Sequence, residues 1–168
     1  MEIRGRTAAD DAAIRRLNDD AFGGNYESRL IEDLRAAGLD AVELVAVEDD
    51  QIVGHILFSA LATTVGREVV PALALAPMAV RPDRRRRGIG SALVRGGLDL
   101  ARARDWRAVI VLGHKGYYPR FGFSAVLAHP LKAPFSGDAF MALELTPGAL
   151  HGEEGRVTYP PAFGVTNA

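Results

Sequence analysis

The spacing of apolar residues separates a helical N-terminal part of the chain from a later part in which strands and helices alternate. A short strand at residues 2–6 is followed by two amphipathic helices. Their apolar residues recur every three or four positions, as Ile14, Leu17 and Ala21 or Phe22 in the first helix and as Leu30, Ile31 and Leu34 in the second. Gly23 and Gly38 follow these repeats, and glycine commonly ends a helix, so we expect the two helices to stop there.

Beyond Gly38 the apolar period becomes that of strands. Residues 42–47 and residues 52–64 predict a hairpin whose turn is formed by Asp49 and Asp50. This hairpin would place the N-terminal helices beside the beginning of a sheet.

The middle of the chain predicts a β-α-β unit. Its parts are a strand at residues 72–80, a helix at residues 88–104 and a continuous apolar strand at residues 108–112. A crossover of this kind is right-handed, so the two strands should be parallel. Gly96 and Gly97 lie in the middle of the helix, where glycine costs about 1 kcal/mol relative to alanine. We expect them to allow close packing of the helix on the sheet.

The C-terminal part has a weaker pattern. A short helical piece at residues 117–121 precedes predicted strands at residues 123–128 and 140–145. Residues 146–168 are rich in proline and glycine and predict an irregular C-terminal extension. No internal repeat or linker is visible, so we predict a single domain over residues 1–145.

The composition is that of a globular protein and excludes several classes of function. Apolar residues make up 48% and charged residues 24% of the 168 positions, and the net charge is −1 at pH 7, which disfavours binding to polyanions through total charge. The lack of cysteine excludes disulfides, thiolate metal sites and a cysteine nucleophile. No apolar run reaches the roughly 18 residues of a membrane span, and no signal peptide is visible, so we expect a cytoplasmic protein.

A basic, glycine-rich turn lies between the first strand and the helix of the β-α-β unit, with the sequence Arg84-Arg85-Arg86-Arg87-Gly88-Ile89-Gly90-Ser91. Glycines let backbone N–H groups approach an anion, and a helix N-terminus adds a favourable dipole. The turn lacks the lysine of a Walker loop and the third glycine of a dinucleotide fingerprint, where Leu93 stands. One or two of its arginines would contact phosphate, and the alternative is a charged turn that is merely solvated.

The segment around this turn resembles the acetyl-CoA motif of the GNAT superfamily of N-acetyltransferases. That motif is Arg/Gln-x-x-Gly-x-Gly/Ala, and Arg85, Gly88 and Gly90 match it within residues 78–93. The order of strands and helices also resembles the superfamily across residues 1–145.

A second motif of the superfamily, Tyr-x-x-x-Gly-Phe, matches residues 118–123. Together with the Val-Leu-Gly-His sequence at residues 111–114 and the strand at residues 140–145, it most resembles the YhbS-like branch. The resemblance implies an α/β fold of the α+β sandwich type. Its central sheet would be mixed and mostly antiparallel, with a splayed pair of parallel strands and with helices on both faces.

The resemblance implies that acetyl-CoA is the co-substrate and that no metal is needed. The pantetheine arm would lie in the gap between the two parallel strands, and the pyrophosphate would bind to N–H groups of the turn. The cofactor-binding residues implied in this way are Met78, Ala79, Val80, Arg85, Arg86, Arg87, Gly88, Ile89, Gly90, Ser91 and Tyr118.

The implied reaction is direct attack of a primary amine on the thioester in a ternary complex. A lysine-like amine has a pKa of about 10.4, so about one molecule in 2,000 is neutral at pH 7, and a base or a water relay would help. Many members of the superfamily use a glutamate on the fourth strand, but residues 72–80 contain no carboxylate. We prefer His114 as base or relay, with Glu43 and His55 as further candidates. The alternative for His114 is a loop residue that only forms hydrogen bonds.

Tyr118 is the candidate acid for the leaving thiolate, because it occupies the motif position and tyrosine can act as an acid. The alternative is a core tyrosine that packs with Phe121 and Phe123.

Two other functions compete with acetyl transfer. One is a catalytically weak sensor of acyl-CoA on the same fold, and the other is a nucleic-acid-binding module that uses Arg84–Arg87. The basic run is short and Asp83 interrupts it, so we expect no nucleic acid partner. The sequence does not identify the amine acceptor, and the region of Phe135–Phe140 with the C-terminal extension could form a homodimer contact.

Overall fold

The computed structural model describes all 168 residues. Its strands are β1 (Glu2–Gly5), β2 (Asp40–Glu48), β3 (Gln51–Ala60), β4 (Ala62–Val65), β5 (Glu68–Val69), β6 (Ala72–Val80), β7 (Ala108–Leu112), β8 (Leu131–Lys132), β9 (Phe140–Glu144) and β10 (Gly155–Thr158). Its α-helices are α1 (Asp11–Phe22), α2 (Tyr26–Ala36), α3 (Ile89–Ala103) and α4 (Ala125–Ala128). None of these helices combines the length and the apolar composition that crossing a membrane requires.

The chain forms two compact units, each built from two separate stretches of sequence. The first unit contains Met1–Ser59 and Ala76–Leu100, and the second unit contains Ala60–Leu75 and Ala101–Ala168. Strand β6 begins in the second unit and ends in the first. Each unit therefore depends on residues that lie far apart in the sequence.

In the first unit, strands β1, β2 and β3 pair antiparallel, and the β2–β3 hairpin has two chemically different faces. Its turn, residues 49–50, has the positive φ angles of a tight hairpin turn, as the sequence predicts. Leu44 and Ile56 are cross-strand partners on one face, whereas Glu43 and His55 alternate with them and lie on the other. One face is therefore apolar, and the other carries charge.

Helix α3 packs on the apolar face, and glycines on both partners allow the close approach. A Cβ atom built on Gly97 of α3 would lie only 2.1 Å from the ring of Phe58 on β3. A Cβ atom built on Gly54 of β3 would lie 2.8 Å from the side chain of Ile89. Such distances leave no room for a side chain, so the close packing predicted for the glycines of this helix is confirmed at Gly97.

Helices α1 and α2 lie against the face that carries Glu43 and His55. Their buried apolar residues are those that the spacing predicts, namely Ile14, Leu17, Leu30, Ile31 and Leu34. Gly23 and Gly38 follow the two helices with φ angles of 70° and 71°, in the left-handed region where glycine is favoured. Helices thus occupy both faces of the hairpin.

In the second unit, β7 is the centre of a three-stranded arrangement. β6 pairs with it in parallel, Ala72–Ala74 opposite Ala108–Ile110, and β9 pairs with it antiparallel. Both parallel strands continue beyond this register, β6 to Val80 and β7 to Leu112. The whole sheet has the order β1-β2-β3-β6-β7-β9 and is mostly antiparallel with one parallel pair, which confirms the predicted fold class.

The second unit also contains a second sheet, with the strand order β5-β4-β10-β8. β10 pairs antiparallel with β4 and parallel with β8. The extended run predicted at residues 52–64 is therefore divided, because β3 ends at Ala60 and β4 belongs to this other sheet.

Two sequence predictions are wrong in the C-terminal part. Residues 146–168 are not wholly irregular, because β10 finds its partners in strands that are distant in sequence. Residues 123–128 form no strand but the helical turn α4, whose first turn is capped by Ser124: its hydroxyl accepts a hydrogen bond from the N–H of Leu127 at 3.2 Å. The domain boundary at residue 145 stays a prediction.

The packing of α3 generates a paired prediction. Gly97→Ala should lower the free energy of unfolding by about 1–3 kcal/mol, because the new methyl group overlaps Phe58. Gly96→Ala is the matched control, since its Cβ would lie 3.5 Å from Leu44, an ordinary contact. The control should be neutral or stabilise by up to about 1 kcal/mol through helix propensity. Denaturant titration measures both variants, and equal effects would contradict the account of Gly97.

Candidate functional site

The segment between β6 and α3, which contains the glycine-rich turn, is anchored to the β2–β3 hairpin by Arg81 and Arg84. The N–H of Arg81 donates to the carbonyl oxygen of Val53 at 2.8 Å, and its guanidinium contacts Gln51 at 2.8 Å and both carboxylate oxygens of Asp83. The Arg84 guanidinium lies 2.9 Å from Asp83 and 3.3 Å from Glu48. The hydrogen bond from Arg81 lowers the pKa of Asp83 to about 2, so this carboxylate is charged at neutral pH. Arg81 and Arg84 are thus engaged within the protein.

The other three arginines of the turn point into solvent. Arg85, Arg86 and Arg87 are exposed and have no ion-pair partner in the protein. Arg86 and Gly88 have φ angles of 64° and 80°, so the backbone curves sharply just before α3. A Cβ built on Gly88 would meet no atom within 4 Å, which leaves its surroundings open.

Helix α3 begins directly after this curve. The first hydrogen bond of its ladder runs from the N–H of Ala92 to the carbonyl oxygen of Gly88, at 3.0 Å. The N–H groups at the start of a helix have no partner within the helix, and they lie at the positive end of its dipole. Ile89 is buried and Gly90 and Ser91 are half-buried, so the start of α3 is firmly seated. Exposed guanidinium groups beside a helix N-terminus form an arrangement that suits an anion such as phosphate.

The end of β6, in the same unit, has alternating exposure. Met78 and Val80 are half-buried, whereas Ala79 between them is buried. The face of the strand that carries Met78 and Val80 therefore remains partly accessible immediately before the turn.

Tyr118 lies in the second unit, in a 3-10 turn over residues 118–121 that follows β7. It is buried, and its ring packs edge-on against Tyr117 at 5.1 Å and against Phe123 at 5.7 Å between ring centroids. A Cβ on Gly113 would lie 2.4 Å from this ring, so glycine is needed at that position. Burial, with a smaller effect of Tyr117, raises the pKa of Tyr118 to about 12.

His114 is placed between β7 and that turn. Its side chain is exposed, and its carbonyl oxygen accepts hydrogen bonds from the N–H groups of Tyr117 at 3.0 Å and Tyr118 at 3.2 Å. The backbone of His114 therefore holds the turn that carries Tyr118, while its imidazole remains accessible to solvent.

Glu43 and His55 behave differently from His114, because both are buried in the first unit. Nε2 of His55 donates to a carboxylate oxygen of Glu43 at 2.7 Å, and the Arg35 guanidinium holds the same carboxylate with contacts of 3.0 and 2.5 Å. Burial alone would raise the pKa of Glu43, but the hydrogen bonds from His55 and Arg35 outweigh it and lower the pKa to about 2. Burial lowers the pKa of His55 and outweighs the raising effect of Glu43, so the imidazole is neutral.

The network continues into both N-terminal helices. Nδ2 of Asn18 on α1 donates to the carbonyl oxygen of Ile14 at 3.0 Å and lies 3.4 Å from Nδ1 of His55. Arg35 of α2 also lies 3.2 Å from Asp11 of α1. The network thus joins α1, α2, β2 and β3.

Sequence reasoning named Glu43 and His55 but missed Arg35 and Asn18. The available signal was a charged residue and a histidine at alternating positions of two otherwise apolar strands. Charges inside a core require partners, which points to polar residues on the helices above. No group of three or more His, Asp or Glu side chains in the protein is arranged to hold a metal ion.

The sequence matches a known family and is similar to proteins of solved structure. Residues 2–126 match the acetyltransferase (GNAT) domain. The chain is 35% identical over 166 residues to YhbS of Escherichia coli K12, an uncharacterized N-acetyltransferase, and the alignment covers 97% of this chain and 98% of YhbS.

Two crystal structures with bound cofactor are similar to this protein. The structure of YhbS from Escherichia coli in complex with CoA has a TM-score of 0.88 and 33% identity, over 98% of this chain and 92% of that one. The structure of a GNAT family acetyltransferase from Brucella melitensis in complex with acetyl-CoA has a TM-score of 0.79 and 34% identity, over 96% of this chain and 97% of that one.

The buried network predicts a large effect of one substitution. Glu43→Gln removes the buried charge opposite Arg35 and leaves this arginine only the more exposed Asp11, and breaking a buried pair typically costs about 3 kcal/mol. Glu32→Gln is the control, because its partner Arg15 is half exposed and such surface pairs contribute about 0–1 kcal/mol. Denaturant titration at pH 7 should therefore separate the two variants. Equal losses would show that the buried pair is no stronger than the surface pair.

The network also predicts a dependence on pH. The pKa of Glu43 is lowered from 4.5 to about 2 in the folded protein. Its stabilisation is therefore complete above pH 4.5 and is lost as the pH falls through about 2. The difference in free energy of unfolding between the unaltered protein and Glu43→Gln should shrink over this range, and a constant difference would contradict the lowered pKa.

Proposed function

The chain belongs to the GNAT family of acetyltransferases, and we propose that it transfers the acetyl group of acetyl-CoA to a primary amine by direct attack in a ternary complex. The observation that carries the proposal is the turn before α3, where three arginines without partners stand beside a helix N-terminus. A CoA pyrophosphate needs positive charge and N–H donors of this kind. Two relatives that align with almost the whole chain were solved in complex with CoA or acetyl-CoA, which supports the same proposal.

In this proposal the cofactor is held chiefly by backbone. N–H groups of residues 86–90 bind the pyrophosphate, and the side chains of Arg85–Arg87 add charge. Backbone groups at the end of β6, at Met78, Ala79 and Val80, align the pantetheine arm. A backbone N–H near Met78 would stabilise the oxyanion, and loss of one such donor typically costs about 3–4 kcal/mol.

His114 is a better candidate for the base than the buried residues Glu43 and His55. The imidazole of His55 is fully buried, and both ring nitrogens face partners, Glu43 and Asn18. It has no free nitrogen to meet an amine. The exposed imidazole of His114 can take a proton from an amine directly or through water and release it to solvent.

Tyr118 would act on the leaving sulfur as a hydrogen-bond donor. Its pKa is raised to about 12, whereas a free thiol has a pKa near about 8.5. Full proton transfer to the thiolate would therefore be uphill by about 5 kcal/mol. A hydrogen bond stabilises the developing charge without that cost, and solvent completes the protonation. The lack of a carboxylate in β6 keeps a weak acyl-CoA sensor as the alternative function.

The first test concerns the arginines of the turn. Replacing Arg85, Arg86 and Arg87 together by glutamine should weaken acetyl-CoA binding about 10–100-fold, as expected for the loss of one or two charged hydrogen bonds. The matched control replaces Arg16, Arg29 and Arg67, which are also exposed, and should leave affinity almost unchanged. Calorimetric titration with acetyl-CoA measures both, and equal weakening would mean that only net charge matters.

The second test separates the enzyme from the sensor. Release of free CoA thiol from acetyl-CoA is followed with a panel of primary amines, and at least one amine should be acetylated. Binding of acetyl-CoA with no acetylation of any amine in the panel would favour the sensor.

The third test addresses Tyr118. Tyr118→Phe keeps the ring and its packing but removes the donor, so turnover should fall about 10²–10⁴-fold while acetyl-CoA affinity and melting temperature stay nearly the same. Tyr117→Phe is the control and should change turnover little. If Tyr118→Phe retains its turnover while chemistry limits the rate, Tyr118 has only a packing role.

A further inference from the structure

The second unit contains a cavity whose lining residues have no role in the function proposed above. Its volume is about 350 Å³, within the range of small-molecule pockets. Its walls are mostly apolar, and the larger side chains are Leu131, Phe135 and Phe140. His129 and Asp138 are its ionisable residues.

A second, more open cavity of about 360 Å³ shares two wall residues with the first, Ala125 and Asp138. Phe123 lines this second cavity, and its ring lies 5.7 Å from that of Tyr118. The two cavities therefore lead from Phe135 toward the aromatic cluster that holds Tyr118.

The wall chemistry suits an organic cation. The rings of Phe135 and Phe140 lie 6.4 Å apart at an angle of 40°, and aromatic rings of this kind pack well against the apolar body of an amine. The carboxylate of Asp138 stands at the rim of both cavities with its side chain 81% exposed. An apolar body can enter the cavity while the ammonium group remains near this carboxylate.

The aromatic wall is fixed from behind by the C-terminal segment. Tyr159 packs edge-on against Phe135 at 5.2 Å and against Phe163 at 5.0 Å between ring centroids. The side chain of Asn167 accepts from the N–H of Tyr159 at 2.8 Å and donates to its carbonyl oxygen at 3.0 Å. Phe135 is therefore held in place before any ligand arrives, which reduces the entropy lost on binding.

We propose that these two cavities bind the acceptor, a primary amine with a compact aromatic or apolar body, whose ammonium group is held by Asp138 and whose body packs against the aromatic rings. The proposal rests on the acetyltransferase function proposed above. Asp138 is the one carboxylate of the two cavities, so the site suits a single positive charge better than a polyamine.

Lys115 provides a second test, because its removal should have the opposite effect to removal of Asp138. Its ammonium lies 3.9 Å from the carboxylate of Asp138, and its side chain is 74% exposed, so the pair is weak and can be displaced. A cationic ligand competes with Lys115 for the same carboxylate. Removing the lysine charge should therefore strengthen binding, whereas removing the aspartate charge should weaken it.

The test uses a cation that cannot be acetylated, phenethyltrimethylammonium, with the full chain. Its binding is followed by NMR or calorimetric titration. Asp138→Asn and Phe135→Leu should each weaken binding about fivefold, and Lys115→Gln should strengthen it by a similar factor. Glu153→Gln, an exposed carboxylate outside both cavities, is the control and should leave binding unchanged. Failure of the unaltered protein to bind, or equal binding by Asp138→Asn, overturns the proposal.

Acetylation of phenethylamine in the same preparations separates this proposal from the function on which it rests. Asp138→Asn should raise the KM for phenethylamine about fivefold with kcat nearly unchanged. Acetyl transfer that is independent of Asp138 overturns the cavity assignment and leaves the enzyme function standing. Asp138-dependent binding of the quaternary probe without acetyl transfer to any amine overturns the enzyme function instead.

Discussion

The carboxylate of Glu43 is almost removed from water, and its charge has to be compensated inside the protein. Arg35 supplies the opposite charge and the neutral imidazole of His55 donates a hydrogen bond, so one side chain of α2 and one of β3 are fixed to β2. Asn18 extends the constraint to α1. The N-terminal helices are therefore positioned by directional polar contacts, whereas α3, on the opposite face of the hairpin, is positioned by the fit of Phe58 over Gly97.

Exposure distinguishes the residues that build the site from those that are free to meet a ligand. Arg81 and Arg84 lie in the same segment between β6 and α3 as Arg85–Arg87, but their side chains are bound to Asp83, Glu48 and Gln51. Likewise, His114 uses its backbone to hold a turn and leaves its imidazole in solvent, while His55 has no free nitrogen. Residues of the same type therefore have different roles, which depend on the partners that surround them.

The sequence predicted those parts of the fold that depend on local pattern. It did not predict the parts that depend on partners distant in the sequence. The helix after the glycine-rich turn and the close approach at Gly97 follow from local spacing. A short apolar run such as residues 123–128 does not distinguish strand from helix, and in the structure it forms a helical turn whose start is capped by the hydroxyl of Ser124. β10 could not be foreseen, because its partners β4 and β8 are remote in sequence. Arg35 was missed for the same reason, since only the folded chain brings it to Glu43.

The pairing of β4 with β10 has a consequence for the order in which the chain can fold as it is synthesised. β4 is made early, at residues 62–65, but its neighbour β10 ends only at Thr158. A nascent chain that has reached the end of α3 carries β4 without β10, and β6 without β7, so unpaired strand edges are exposed. The second sheet can close only after residue 158 has left the ribosome. Until then, the emerging chain presents the kind of surface that chaperones cover and that promotes aggregation.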